Sequence, residues 1–447
     1  MWKKTGIQAS LVVILAAQAT TMATQDQTYG LGGATTGRVS SVTADTENPF
    51  AALYNPGLLA AQKTPLFSFS TLAAGSSYSP FSQVLVDSAQ YRTRDAKNRI
   101  DDFSLPGNSS TLWAVGFTYP FALPNYLSRR AGLGIVASGP FGKLRSFSSG
   151  TPYEFTDLRY GTSDEQFKVT TSLGVELIPE HLYLGTGLSF YITAAGAADA
   201  DVVTSNPTGR LNLDVGMNSS LVGGLYGRAN WLGYDHAWSL VYHQAARPTF
   251  DQSINGTVQV TPGASVAIPL MLHTALYFEP QTIESDWQVN FGVLIASLGV
   301  SYQRWSAFEP SFLTVQSPDA RGQTRTTSLP TLSFSDTINP RASIDVPLLT
   351  NRWYASLGYQ FRPSPLRDLS GPANLLDTDT HVVGIGVRYQ IPNNQILPLP
   401  VTVAIFGQYH WMETRHIDKS DSSFIGAPGY DFSGNAYTYG LSLQADL

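Results

Sequence analysis

The chain has 447 residues, of which 13% are charged, with a formal net charge of -6 and no cysteine. Ordinary soluble domains carry about 25% charged residues, and a chain without a basic run or an aromatic-plus-basic stripe is not built for nucleic acid. Disulfides, thiolate chemistry, thiolate metal sites and lipobox acylation are excluded, so the fold must be held by its backbone ladder and its packing.

The first element is a leader. Met1-Trp2-Lys3-Lys4, the apolar run Ala9 to Ala17 and the small residues Ala17, Ala19, Thr21 and Ala23 are the charged, apolar and small-residue parts of a secretory signal, cleaved after Ala19 or Ala23. Residues 1–23 are therefore assigned to a signal peptide. Residues 24–64 follow, rich in Gly, Ala and Thr and without alternation. In a barrel wide enough for an aqueous channel, such a segment is expected to fold into the lumen as a plug, or hatch. A disordered periplasmic tail is the alternative.

Residues 65–447 alternate apolar with small or polar positions, and beyond residue 23 there is no run of about 20 apolar residues that would make a spanning helix. Alternation and turn residues delimit about 14 strands. They are Pro65 to Ala74, Thr111 to Phe121, Gly132 to Leu144, Phe167 to Leu177, Leu182 to Ala194, Asp214 to Ala229 and Ala237 to Val260. The second half runs Ile268 to Glu279, Trp287 to Val315, Asn339 to Pro347, Trp353 to Arg362, His381 to Ile391, Val401 to Thr414 and Asn435 to Leu447. The last puts Tyr437, Tyr439, Leu441, Leu443 and Leu447 on one face and Thr438, Gly440, Ser442, Gln444 and Asp446 on the other. Short links such as Pro179-Glu180-His181 read as periplasmic turns, and long ones such as Gly75 to Ser110 as extracellular loops. The fold class is all-β: an antiparallel transmembrane β-barrel of about 14 strands with an N-terminal plug, placed in the outer membrane of a Gram-negative bacterium. Trp353, Tyr389, Tyr409, Trp411, Tyr437 and Tyr439 read as interface girdle residues.

Five stretches in chain order carry a family resemblance. Gly30-Leu31-Gly32-Gly33-Ala34-Thr35-Thr36-Gly37 with Tyr54-Asn55-Pro56-Gly57-Leu58 resembles a plug closed by Asn-Pro-Ala. Gly132 to Gly142, ending Gly139-Pro140-Phe141-Gly142, resembles a kinked third strand. Tyr302-Gln303-Arg304-Trp305-Ser306-Ala307-Phe308 resembles a Trp-Ser-x-Phe strand, and Arg362-Pro363-Ser364-Pro365 with Leu376-Asp377-Thr378-Asp379-Thr380-His381 resembles a Ser-Pro loop and a Pro-Asp-x-Asp-Arg motif. The closing strand has the Gly-x-Ser-Leu pattern. Together they resemble the FadL/TodX outer-membrane transporters of long-chain fatty acids and other hydrophobic compounds. Gly57 stands in place of the motif's Ala, and Leu447 in place of the terminal aromatic favoured by the barrel-assembly machinery.

The resemblance implies passive transport: a hydrophobic ligand is caught among extracellular loops, bound in the barrel and released by plug movement through a lateral gap at the kinked strand. Its plug motif falls on Asn55, Pro56 and Gly57. Gly139, Pro140 and Gly142 would form a bulge opening the wall, because Pro lacks a ladder donor and Gly tolerates unusual backbone angles; an ordinary strand end is the alternative. In loop one, Tyr78, Phe81, Val84, Leu85, Val86 and Tyr91 would form an exposed apolar patch that catches tails. A carboxylate in the lumen needs a cation, and alternation points Arg362, Arg388, Lys168 and His410 inward, with Arg304 at its strand's end. The alternative is that inward cations pair with inward acids such as Glu176 or Asp446.

No cofactor or metal site is expected, and no spacing assembles a nucleophile, base and orienter for a barrel enzyme. An uptake channel for aromatic hydrocarbons and a structural or receptor barrel without transport are the other readings. The expected partners are hydrophobic small molecules and outer-membrane lipids.

Overall fold

The computed structural model describes residues 25–88, 98–123, 129–142, 152–160, 166–201, 208–247, 249–261, 264–275, 278–308, 314–318, 324–326, 330, 332–348, 352–393 and 398–447. The signal-peptide assignment and Tyr91 lie outside the described residues.

Period-two alternation builds one closed sheet. Its wall strands are β1 (Leu66–Tyr78), β2 (Ser109–Ala122), β3 (Arg130–Pro140), β4 (Lys168–Ile178), β5 (Leu182–Asp201), β6 (Thr208–Trp231) and β7 (Tyr234–His243). They continue as β8 (Gln281–Asn290), β9 (Ile295–Arg304), β10 (Thr337–Leu348), β11 (Trp353–Arg362), β12 (Thr380–Ile391), β13 (Val401–Asp418) and β14 (Gly429–Asp446). Each pairs antiparallel with the next. The ring closes where β14 meets β1, Asp446 opposite Leu66 and Gly434 opposite Tyr78. The result is a 14-strand antiparallel barrel. Closure leaves no sheet edge to be satisfied in hydrocarbon.

The outer face is apolar. On β12, Val383, Ile385 and Val387 are exposed, while Val382 is buried and Gly384 and Gly386 line the interior. Trp353 is exposed at the start of β11, and Tyr409, Trp411, Tyr437 and Tyr439 are exposed midway along the long strands β13 and β14. This is a transmembrane barrel of the outer-membrane type. Short turns close one end: Leu232 and Gly233, with φ of 53° and 81°, make a two-residue hairpin between β6 and β7.

The strand count agrees with the sequence, but three segments differ. Ala237 to Val260 is not one strand: β7 stops at His243 and Thr249–Thr261 is the first arm of an extracellular hairpin. Most of the expected strand Ile268 to Glu279 is that hairpin's second arm, Ala264–Ala275. Trp287 to Val315 instead holds the end of β8, a turn at Phe291 to Leu294 and all of β9. Alternation is the same in wall strands and in a sheet standing clear of the membrane, so it could not separate them. The first hairpin arm pairs parallel with the upper part of β5, Phe250 opposite Ala194 through Thr257 opposite Asp201. At the base of this hairpin Ala246 and Glu279 exchange both backbone hydrogen bonds, at 3.1 and 2.9 Å.

Inside the wall lies the N-terminal segment: α1 (Gln25–Tyr29), α2 (Gly33–Gly37), α3 (Ala51–Tyr54) and a 3-10 turn (Pro56–Ala60). From Thr28 to Ala61, only Glu47 is exposed. Leu31, Val42, Phe50 and Leu53 pack with Ala114 and Val136 of the wall, and Leu58 and Leu59 with Tyr183 and Tyr226. Small wall residues permit this. A Cβ on Gly116 would stand 2.5 Å from the Pro49 carbonyl oxygen, and one on Gly185 would overlap the Pro56 carbonyl. Glycine in a strand here serves close backbone approach.

Candidate functional site

The lower half of the segment is fastened by short-range geometry and long-range charge. Asn55 is fully buried: its Oδ1 accepts from Gly57 N–H at 3.0 Å, and its Nδ2 donates to the carbonyls of Thr43 at 2.7 Å and Leu225 at 3.1 Å. With Pro56 at the first position of the 3-10 turn, the Asn-Pro-Gly motif ties two stretches of the segment to β6. Thr43 donates its N–H and hydroxyl to Asp286 Oδ2, at 3.0 and 2.6 Å. Asp286 Oδ1 accepts from Arg341 Nε at 2.9 Å, and Arg341 Nη1 donates to Glu284 at 2.6 Å. Arg38 and Asp45 pair within the segment. Gln408 donates to Thr36 O at 2.7 Å and Ser172 to Ala52 O at 2.6 Å.

The upper end meets a polar chamber of about 80 Å³, lined in part by Thr28, Tyr54, Arg341, Gln360 and Arg362. Arg362 Nη1 donates to Thr28 O at 2.8 Å and its Nε to Gln360 at 2.7 Å. Tyr29 lies against His410, ring centroids 5.4 Å apart, and His410 Nδ1 is 3.1 Å from the hydroxyl of Tyr160. His410 Nε2 meets Gln408 Oε1 at 3.0 Å. Lys168 pairs with Glu279 at 3.2 Å, and Tyr191 donates to the same carboxylate at 2.8 Å. Two atoms of chamber-lining residues, Arg341 Nη2 and Asn339 Oδ1, are buried without a hydrogen-bond partner among the described residues. Such atoms are what a bound polar group or water would satisfy.

Above the chamber an apolar cap closes the extracellular mouth. Phe81, Val84, Leu105, Phe155, Leu158, Leu375, Leu376 and Phe432 form one buried cluster, with Phe81 stacked on Tyr430 at 4.6 Å. The cap is knitted by a parallel bridge of Thr156–Asp157 with Leu375–Leu376, and by Lys419 Nζ donating to the carbonyls of Leu369, Gly371 and Ala373 at 2.8 to 2.9 Å. Arg159 pairs with Asp377 at 3.1 Å. Burial pushes the Asp157 carboxyl up to about 7, although it accepts from the N–H groups of Arg159 and Tyr160. At the opposite end, two polar cavities of about 580 and 560 Å³ border Thr46 and Glu47.

Several sequence-derived site residues take other places. Phe81 and Leu85 are not an exposed patch; they are 1% and 4% exposed, because the loops fold over them into a packed core. Arg304 is exposed at the end of β9, outside the chamber. Arg388 faces the lumen at the periplasmic mouth, paired with Asp345 and 4.6 Å over the Tyr354 ring, so it shares no clamp with Arg362. Gly139 and Pro140 form no bulge: β3 stays in register with β2 through Pro140 and with β4 through Ser138, and Gly142, at φ +76°, turns the chain away. Gly139 and Pro140 stand at the loop boundary, past Ser138, where the pairing of β3 with β4 ends. The inward cations Lys168 and Arg388 are paired with acids, but with Glu279 and Asp345 rather than Glu176 or Asp446. Glu176 accepts instead from the N–H groups of Arg130 and Glu180.

Asp286, Glu284, Arg341 and Tyr160 were not found from the sequence. Inward parity on β8 and β10 marks the first three, but the bond that joins Asp286 to Thr43 spans 243 residues of chain.

The structure matches a Pseudomonas aeruginosa FadL homologue with a TM-score of 0.58 and 13% identity, covering 96% of this chain and all of that one. The chain has the FadL-type fold. A second match to this fold is TbuX, the toluene transporter of Ralstonia pickettii, with a TM-score of 0.50, 13% identity, and 94% and 99% of the two chains covered. In sequence, the FadL-type chain is 26% identical over 211 residues to alkane uptake protein A of Marinobacter nauticus. The match spans 45% of each, so less than half the length of that relative is covered. No family model matches.

Proposed function

We propose that this barrel is a passive outer-membrane transporter for long-chain fatty acids or related hydrophobic compounds, with residues 24–64 as its hatch and residues 65–447 as its wall. The observation that carries the reading is the filled lumen: residues 28–61 occupy the barrel and are fastened by Thr43, Asn55 and Thr28, so passage requires this segment to move. A ligand enters as the apolar cap opens, and its polar end enters the chamber beside Arg362, where Arg341 Nη2 and Asn339 Oδ1 lack partners among the described residues. Release follows displacement of the hatch rather than a bulge in β3. The names of the relatives, which include alkane and toluene uptake, support hydrophobic cargo. The chamber's polar lining favours an amphipathic molecule over a hydrocarbon. The protein is taken as a carrier and not an enzyme.

The test is uptake of labelled palmitate, hexadecane and toluene by cells that lack other routes and express the wild type or the Asn55→Ala, Pro56→Ala double variant. Palmitate uptake that the double variant changes, with the barrel still inserted, supports the reading. Wild-type uptake by that variant removes the hatch from the mechanism. Hydrocarbon uptake alone would assign the channel to hydrocarbons, and uptake of none would leave a receptor or structural barrel.

A further inference from the structure

A trough of about 420 Å³ indents the lipid-facing wall near its extracellular end, a size within the range of about 300–1,000 Å³ typical of ligand pockets. Strand register builds it. On β1, Ala73 stands between Tyr439 of β14 and Thr111 of β2, and Gly75 stands between Tyr437 and Ser109. Phe141, just past β3, donates its N–H to the Thr111 carbonyl at 3.1 Å. The floor is thus two strands of small side chains, about 10 Å across at the usual strand spacing. Its walls are the exposed rings of Tyr437 and Tyr439 on one side and Phe141 on the other. Farther down the same strands the outward positions are filled, by Phe67 and Phe69 on β1 and by Leu441 and Leu443 on β14. The dent is local. A Cβ on Gly75 would come within 2.8 Å of the Tyr437 ring, so that ring leans over a position only glycine leaves open.

We propose that this trough is a binding site for an acyl chain of an outer-leaflet membrane lipid. The chain lies along Ala73 and Thr111 between the aromatic walls, and the lipid's polar end reaches Ser109 and the Tyr437 hydroxyl. The occupant follows from position. The trough is continuous with the apolar outer belt of the barrel and opens onto hydrocarbon, where lipid is the molecule present, and its hydroxyls sit at the end nearest the headgroups.

Native mass spectrometry of the detergent-purified barrel, incubated with lipid A or with phosphatidylethanolamine, tests this against an Ala73→Phe, Thr111→Leu variant that fills the floor. One lipid should stay on the wild type at collision energies that strip the rest, and its occupancy should fall about tenfold in the filled barrel, a loss of about 1.4 kcal/mol. If the filled variant does not insert, Phe141→Ala removes a wall instead and should cause a similar loss. Equal retention by wild type and variants overturns the proposal. A wild-type dimer that the filled variant reduces to monomers also overturns it, in favour of a second copy of the chain. Preferential retention of added palmitate over both lipids would make the trough a cargo site and not a lipid site.

Discussion

Thr43 gives both its backbone N–H and its hydroxyl to one carboxylate oxygen of Asp286, at 3.0 and 2.6 Å. The other oxygen is held by Arg341, so the acid is at once the counter-ion of a buried guanidinium and the anchor of the N-terminal segment. Asp286→Asn removes the charge but keeps the shape. Breaking a buried pair on one side costs about 3–5 kcal/mol. The variant should show a lower unfolding temperature and more frequent open events in planar-bilayer conductance. A closed, silent variant would show that Thr43 is held by packing instead.

Gly185 faces Pro56, and a Cβ there would overlap the Pro56 carbonyl. Gly185→Val should leave the wall intact, since valine suits a strand, and displace the 3-10 turn. The expected outcome is a barrel that still resists denaturation as a band of normal mobility, but whose residues 25–64 become sensitive to added protease. Protection equal to wild type would mean that the turn can shift without release.

Phe81 stacks on Tyr430 and touches Phe155 in the cap. Phe81→Ala should cost the cap about 3–5 kcal/mol, the usual range for truncating a buried aromatic. Hydrogen exchange of residues 152–160 and 366–376 should quicken, while exchange of the wall strands stays unchanged. Uniform quickening would show the cap and wall to be one cooperative unit.

Asp157 titrates near 7 in the folded cap, above its ordinary value of 3.8, because burial disfavours the carboxylate. The folded state therefore holds a proton that the unfolded state has lost between about pH 4 and 7, and stability falls as pH rises through that window. The cap should exchange more slowly at pH 5 than at pH 8 after correction for intrinsic rates. Asp157→Asn should flatten the dependence, and a persisting slope would place its origin in another group.

Leu232 occupies a left-handed conformation at φ 53° in a two-residue turn, where asparagine or glycine is usual. Leu232→Asn should relieve about 1 kcal/mol of strain and raise the unfolding temperature slightly. A lower temperature would show that the exposed leucine contributes through contact with the membrane.

The sequence by itself determined the barrel. Period-two patterning, sparse charge and the absence of long apolar runs depend on one residue and its near neighbours, and they carried the class, the strand count and the inward parity of Arg362, Lys168 and His410. The same local signal misassigned Ile268 to Glu279, because a strand in an extracellular hairpin alternates like one in the wall. Only the tertiary structure decided which inward groups meet. Thr43 finds Asp286 across 243 residues, Thr28 finds Arg362 across 334, and Phe81 finds its core only after several loops converge. The curvature of the closed sheet and the folding of the loops over it set those meetings. Alternation tells a residue which side it faces, but not what lies opposite, because the distance across a lumen is fixed by closure of the whole ring.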